Sequence, residues 1–269
     1  MRYIRNILIL VLIACPSVRA QHANNPVVLK DGTVYTGQMK LGKPNGTGRT
    51  DYVNGDVYEG AFEKGQRKGV GICHYANGDV YLGFWDKNAR CGEGELQYSS
   101  GDVYKGTWDD GCRHGKGVYM WVDGSYYSGQ WDRDLRDGTG TMSWSDSSEY
   151  RGSWVKGLRE GQGEFRSGNY SYSGLWKNDL ENGNGICTLP NGDTYKGQFK
   201  NGTISGQGNY VFANGDSYNG SFKDGMADGR GVFTWAEGSV YDGEWKENRR
   251  DGTGRMKWAN GDSYEGEWK

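Results

Sequence analysis

From Tyr35 to the end of the chain, apolar and polar positions return in a single frame about every 23 residues. Each period opens on Tyr-x-Gly-x-Trp/Phe, crosses a polar stretch, and resumes at Gly-x-Gly. It then carries further aromatic or apolar positions and closes on a turn of the Asn-Gly or Asp-Gly kind. The opening tyrosines are Tyr35, Tyr58, Tyr81, Tyr104, Tyr127, Tyr150, Tyr172, Tyr195, Tyr218, Tyr241 and Tyr264, and only the step from Tyr150 to Tyr172 is 22 residues. A fixed period of this size marks a repeat array, here ten full repeats and a terminal fragment.

Alternation within the period sets the secondary structure. In the fourth repeat Tyr104, Gly106 and Trp108 alternate with Lys105 and Thr107, so they share one face of a strand. Gly115, Gly117, Tyr119 and Trp121 alternate on a returning strand, and the polar stretch from Asp109 to His114 joins the two as a hairpin. Asp123-Gly124 leads into the next repeat. Asn54-Gly55, Asn77-Gly78, Asn191-Gly192, Asn214-Gly215 and Asn260-Gly261 repeat that device with residues that tolerate positive φ. The pattern predicts an all-β fold, an elongated single-layer ribbon of about ten 23-residue β-hairpin repeats, twisted and on the order of 100 Å long. Gly-x-Gly leaves two vacancies on the aromatic face, into which neighbouring Tyr and Trp rings fit. Ser147-Ser148 replaces a turn glycine. The following repeat, Tyr150 to Ser171, is short and has no second aromatic near Ser167, which predicts a kink or a change of twist over residues 145–170.

Composition separates this reading from its rivals. With 47 glycines the chain could be disordered or collagenous, but 11 Trp and 19 Tyr at fixed spacings exclude the first and the absence of a three-residue period excludes the second. Residues 1–20 stand apart as a signal peptide: Arg2 and Arg5, an apolar run from Ile7 to Ala14, and the small-residue pattern Val18-Arg19-Ala20. Export to a periplasmic, extracellular or envelope-associated location follows. Two processing readings stand, cleavage after Ala20 or lipidation at Cys15 within Leu12-Ile13-Ala14-Cys15. Residues 21–34 form an N-terminal tail and partial repeat, and 35–269 the array. Without the first 20 residues, 29 basic and 34 acidic side chains remain, a net charge of −5 (32 − 3 = 29; 29 − 34 = −5). That balance speaks against nucleic acid as a partner. Cys73 and Cys187 share the place held by Leu96, Tyr119 and Met142 in other repeats and read as core residues, while Cys91 and Cys112 fall in adjacent hairpins where a bridge is one reading.

These residues resemble the membrane occupation and recognition nexus (MORN) repeat, Y-x-G-x-W/F-x-x-G-x-x-x-G-x-G-x-x-x-Y/W-x-x-G. The fourth repeat carries Tyr104, Gly106, Trp108, Gly111, Gly115, Gly117, Trp121 and Gly124 at those places. The resemblance covers residues 29–269 and departs from the pattern at Asn88, Asp134, Asp179 and Asn248, where the eighth-place glycine is absent. It implies scaffolds and adaptors, often dimeric, some with phospholipid binding attributed to them.

No catalytic, cofactor or metal constellation is present in the sequence: His22, His74 and His114 are scattered, and no H-E-x-x-H, G-x-S-x-G or phosphate-loop motif occurs. Asp56, Asp79, Asp102, Asp193, Asp216 and Asp262 share one place after the turn glycine, which points to turn chemistry. The chain is therefore read as a non-enzymatic, protein-binding scaffold or adaptor. The alternative is a peripheral membrane or envelope-glycan binder, with lipid or glycan on the same face. The candidate binding face is Trp85, Trp108, Trp131, Trp154, Trp176 and Trp245, weighed against a purely structural role for each ring. Val70, Ile72, Leu82 and Phe84 occupy places that are polar in other repeats and form a candidate apolar patch. Tyr264 and Trp268, on the last strand, are a candidate edge for a homodimer.

Overall fold

The computed structural model describes residues 25–269, which hold twenty-two strands and no helix. The segment expected to be a signal peptide, with Cys15, lies outside the described residues. The chain divides after Leu135 into two compact units. The first contains β1 (Val27–Val28), β2 (Val34–Lys40), β3 (Lys43–Asp51), β4 (Val57–Glu63), β5 (Gln66–His74), β6 (Val80–Asp86), β7 (Ala89–Gln97), β8 (Val103–Asp109), β9 (Cys112–Met120) and β10 (Tyr126–Asp132). The second contains β11 (Leu135–Ser143), whose first residue closes the preceding unit, β12 (Glu149–Val155), β13 (Leu158–Ser167), β14 (Tyr170–Lys177), β15 (Leu180–Thr188) and β16 (Thr194–Lys200). It continues through β17 (Thr203–Val211), β18 (Ser217–Lys223), β19 (Met226–Thr234), β20 (Val240–Lys246), β21 (Arg249–Lys257) and β22 (Ser263–Trp268). Within each unit every strand pairs antiparallel with the next along the chain, so each unit is a meander of hairpins.

The hairpins are tighter than the polar stretch suggests. Asp109 pairs with Cys112, leaving only Asp110 and Gly111 in the turn, at φ 43° and 81°. Two consecutive positive φ values are what a two-residue hairpin between right-twisted strands requires. Asn88, Asp134, Asp179 and Asn248 take the glycine's place at φ 71°, 69°, 67° and 66°, a conformation that Asn and Asp accept at least cost.

The Gly-x-Gly pair does two different jobs, and here the expected pair of vacancies is corrected. Gly106 faces Gly117, but the next rung is Trp108 with Arg113, so His114, Gly115 and Lys116 stand opposite Thr107 alone. Gly115 lies in this bulge at φ 62°, and a Cβ there would meet the Thr107 hydroxyl at 2.9 Å. Only the second glycine is a seat for a ring: a Cβ on Gly117 would overlap the Tyr104 ring.

That seat organises the core. The opening tyrosines from Tyr35 to Tyr241 are buried, at 0–2% exposure. Each lies flat on glycine backbone and donates its hydroxyl to the carbonyl three residues on, as Tyr104 does to Thr107 at 3.0 Å. Tyr104 meets Trp108 of its own repeat edge-on at 5.0 Å and Trp131 of the next at 5.5 Å. Such pairs contribute about 0.5–1.5 kcal/mol beyond their buried area. The indoles donate back one repeat: Trp108 Nε1 to the Gly94 carbonyl at 3.3 Å, and Trp131 Nε1 to that of Gly117 at 3.2 Å.

The aspartates after the turn glycine also link repeats. Asp102 Oδ1 accepts the Val122 N–H at 2.9 Å, and Asp79, Asp193 and Asp216 accept those of Ser99, Ala213 and Ala236 at 2.8 Å. The short repeat is absorbed in its turn. Ser167 pairs with Tyr170 across Gly168-Asn169, and the rungs of β12 to β15 keep the register of the other repeats. Tyr170 supplies the aromatic that Ser167 does not, standing 6.2 Å from Phe165 and donating to Glu181 at 3.2 Å.

Candidate functional site

Five of the six tryptophans expected on a binding face lie in the interior. Trp85, Trp108, Trp131, Trp154 and Trp176 are 2–5% exposed. Their outer faces are covered by an arginine series that the aromatic pattern alone does not reveal. Arg67, Arg90, Arg113, Arg136 and Arg159 occupy the same place in their repeats, and each guanidinium lies 4.1–4.4 Å from the centroid of the tryptophan one repeat ahead. Each also donates Nη2 to a turn carbonyl of that next repeat: Asn88, Gly111, Asp134, Gly157 and Asp179, at 2.7–2.9 Å. The planar guanidinium can stack and donate at once, which an ammonium cannot. Arg250 lies on Trp268 in the same way, at 4.2 Å.

The turn residues that replace glycine complete the lid. Asp134 Oδ1 accepts the backbone N–H of Arg113 at 3.0 Å and its Nε at 2.9 Å, and Asp179 does the same for Arg159 at 2.9 and 3.1 Å. Asn88 takes only the Arg67 N–H, at 2.8 Å, and Arg67 Nε has no hydrogen-bond partner. The recurrence of arginine at one place in the frame was the signal available in the sequence.

Four repeats lack the arginine. Pro44, Glu181, Ile204 and Ala227 stand where arginine stands elsewhere. The aromatics one repeat ahead are Phe62, Phe199, Phe222 and Trp245, so the first three positions without arginine coincide with a smaller ring. Trp245, the sixth expected tryptophan, is half-buried, with Ala227 at the place of the lid.

A second row of aromatics keeps part of its surface in solvent, seventeen places after the opening tyrosine. Tyr52, Tyr75, Tyr98 and Trp121 in the first unit, and Trp144, Phe212 and Trp235 in the second, are all half-buried, and Trp258 is 39% exposed. Three of them pack on the ring two places earlier: Trp121 on Tyr119 at 4.6 Å, Phe212 on Tyr210 at 4.6 Å and Trp235 on Phe233 at 4.5 Å. The expected apolar patch is assembled: Val70 pairs with Phe84 and Ile72 with Leu82 across β5 and β6, with Phe84 47% exposed. Tyr264 is 44% exposed and Trp268 half-buried on β22, which pairs with β21. Cys73 and Cys187 are buried and free, and Cys91 and Cys112 stand unbridged. Burial pushes the hydroxyls of Tyr150, Tyr195 and Tyr218 up to about 12, and raises those of Tyr58, Tyr81 and Tyr104 as well. Among the described residues no three His, Cys, Asp or Glu side chains are grouped as metal ligands.

No curated protein matches the sequence. Among solved structures the chain is similar to the TCP10 domain of Danio rerio CPAP in complex with a peptide of Danio rerio STIL, at 12% identity over 91% of this chain and 99% of that one, with a TM-score of 0.41. It is also similar to the SAS-4 (dCPAP) TCP domain of Drosophila melanogaster in complex with a proline-rich motif of Ana2, at 17% identity over 67% and 93%, with a TM-score of 0.37. Neither likeness bears on what this chain binds. The MORN repeat matches ten consecutive segments, 35–57, 58–80, 81–103, 104–126, 127–149, 150–171, 172–194, 195–217, 218–240 and 241–263, and the chain belongs to the MORN repeat family.

Proposed function

We propose that this chain is an exported, non-enzymatic scaffold that binds protein partners through its partly exposed aromatic row. The observation that carries the reading is the division of labour among the rings. The opening tyrosines and most of the following tryptophans are consumed in the array, while Tyr52, Tyr75, Tyr98, Trp121, Trp144, Phe212, Trp235 and Trp258 keep part of their surface in solvent at one place in the frame, a row interrupted at Ser167 and Leu189. Rings already fixed by a neighbour lose little conformational freedom on contact, and Tyr and Trp are enriched among the side chains that anchor protein interfaces. Val70, Ile72, Leu82 and Phe84 offer a second, local contact on β5 and β6.

The test is capture from a detergent-free envelope extract of the source cells, with the full chain immobilised and a Tyr98→Ser/Trp121→Ser chain in parallel. A protein retained by the first and lost from the second supports the reading. Retention of lipid or glycan without protein, or equal retention by both chains, overturns it.

A further inference from the structure

Ala227 marks a place where the chain builds the arginine site and omits the arginine. Around Arg67 the site consists of the Tyr52 ring at 5.8 Å, the Tyr58 ring at 5.6 Å, the Trp85 ring at 4.1 Å and the Asn88 carbonyl at 2.9 Å. The frame puts Phe212, Tyr218, Trp245 and Asn248 at those four places around Ala227. All four line one hollow of about 330 Å³, with Ala227 and Phe233 among its walls. The backbone is held in the arginine-bearing geometry as well. The Ala227 N–H donates to Asn248 Oδ1 at 2.7 Å, as the Arg67 N–H donates to Asn88 Oδ1 at 2.8 Å. The Asn248 N–H reaches the Ala227 carbonyl at 3.0 Å, the counterpart of Asn88 to Arg67 at 3.2 Å.

The hollow keeps the chemistry that suits a guanidinium. An indole face attracts a cation, and Trp is the strongest of the three rings in this. The Asn248 carbonyl corresponds to the acceptor of every lid arginine in the repeats before it. A carboxylate adjoins the site: Tyr210, which lines the hollow, donates its Oη to Asp193 Oδ2 at 2.5 Å. Phe212, which lines the hollow, belongs to the partly exposed row, so a chain lying along the row beside it can send a side chain into the hollow.

We propose that the hollow over Trp245 receives the arginine side chain of an extended peptide from a protein partner. The guanidinium lies on the indole and donates to the Asn248 carbonyl, as Arg67 does within the chain at Trp85 and Asn88. The inference rests on the protein-binding reading and names the chemistry that one of its contacts recognises. Occupation by a second copy of the chain is a separate outcome, seen as self-association that the same variants abolish, and it overturns the assignment to a partner peptide.

The test uses the full chain labelled with ¹⁵N in its 11 tryptophans, and a capped pentapeptide with arginine at its centre. The Trp245 indole N–H should move saturably while distant indoles stay in place. A peptide with uncharged citrulline in place of arginine should bind at least about tenfold more weakly, because the cation–ring attraction is lost. In Ala227→Arg the chain supplies its own lid, and the peptide should again bind at least about tenfold more weakly. Ala227→Leu fills the hollow without charge and should weaken binding to the same degree, so the test stands even where the first variant folds poorly. A Trp245 signal that does not move, that moves equally with citrulline, or that still moves in both variants overturns the proposal. The two readings can fail separately. A partner captured equally by wild type and Ala227→Arg removes this site and leaves the scaffold, whereas a peptide that binds Trp245 with no protein captured removes the scaffold and leaves the site.

Discussion

Repeats two to six and repeats seven to nine solve one packing problem with different outer layers. Both seat a tyrosine on the second glycine of Gly-x-Gly: Tyr104 on Gly117 in the fourth repeat, Tyr195 on Gly208 in the eighth. Both wedge that ring between two aromatics, Trp108 and Trp131 in the first case, Phe199 and Phe222 in the second. They differ in the lid. Five successive arginines cover tryptophans, and then Glu181, Ile204 and Ala227 take over. The tyrosine seat is therefore what makes a repeat stack, and the arginine is an addition that a repeat can exchange. Where it is exchanged the next ring shrinks to Phe, except at Trp245, and that exception is where the surface opens.

If the seat is common to both regions, both should fail together in alkali. Tyr150, in a repeat with an arginine lid, and Tyr195 and Tyr218, in repeats without one, have hydroxyls pushed by burial from 10.0 to about 12. The folded chain holds these protons at pH values where the unfolded chain releases them. Their contribution is full below pH 10 and falls as the pH climbs through the folded values about 12, and because many tyrosines act in parallel the loss is steep. Urea midpoints measured at steps from pH 8 upward should be level to about pH 10 and then drop as one transition. Two separated transitions would show that the lids, not the seats, set the stability of each region.

The next largest effect also tests the common part. Gly117→Ala and Gly208→Ala each put a methyl into the ring of the tyrosine above, where the opposing backbone cannot move aside. Each should cost about 3 kcal/mol in denaturation, the upper range for overpacking, and the two costs should be alike. A much smaller cost at Gly208 would mean that the unlidded repeats are loosely seated.

How much of this is legible in the sequence follows from which interactions are periodic along it. The Tyr-x-Gly-x-Trp/Phe frame recurs with little variation, so the hairpins, their order and the Asn-Gly turns can be read directly. The bulge cannot, because strict alternation runs on through Gly115, whereas Thr107 faces three residues and restarts the count. The candidate face is misplaced for a related reason. Trp108 and Trp121 both look like large rings on a strand, and only register shows that Arg90 of the preceding repeat covers the first. An arginine on a polar strand position looks solvated, although its recurrence at one place in the frame is visible. The apolar patch at Val70 and Phe84 is legible because cross-strand neighbours follow once the turns are fixed.

The lid itself can be divided into cation and volume. Arg90→Ala uncovers Trp108 and leaves the Gly111 carbonyl without its donor at 2.7 Å, and should cost about 2 kcal/mol. Arg90→Met keeps most of the covering volume and should recover roughly half of that loss. Full recovery would make the lid a matter of packing alone and would weaken the contrast between the two groups of repeats.

The smallest effect is the most discriminating, because it adds the lid where the chain lacks it. Ala227→Arg places a guanidinium over Trp245 with the Asn248 carbonyl waiting, and the Asn248 side chain already holds the backbone at residue 227. The substitution should stabilise the chain by about 1 kcal/mol, read from the urea midpoint, since the site is formed and only the cation is new. Ile204→Arg, one repeat earlier, faces Phe222 and gives up the packing of a half-buried isoleucine. Phe attracts a cation less well than Trp, and about 1 kcal/mol of apolar burial is lost, so this change should be neutral or destabilising. The same substitution at the same place in adjacent repeats should thus differ in sign, and the ring ahead decides which. Equal outcomes would mean that any repeat accepts a lid, and would leave Trp245 with no special standing among the aromatics of the array.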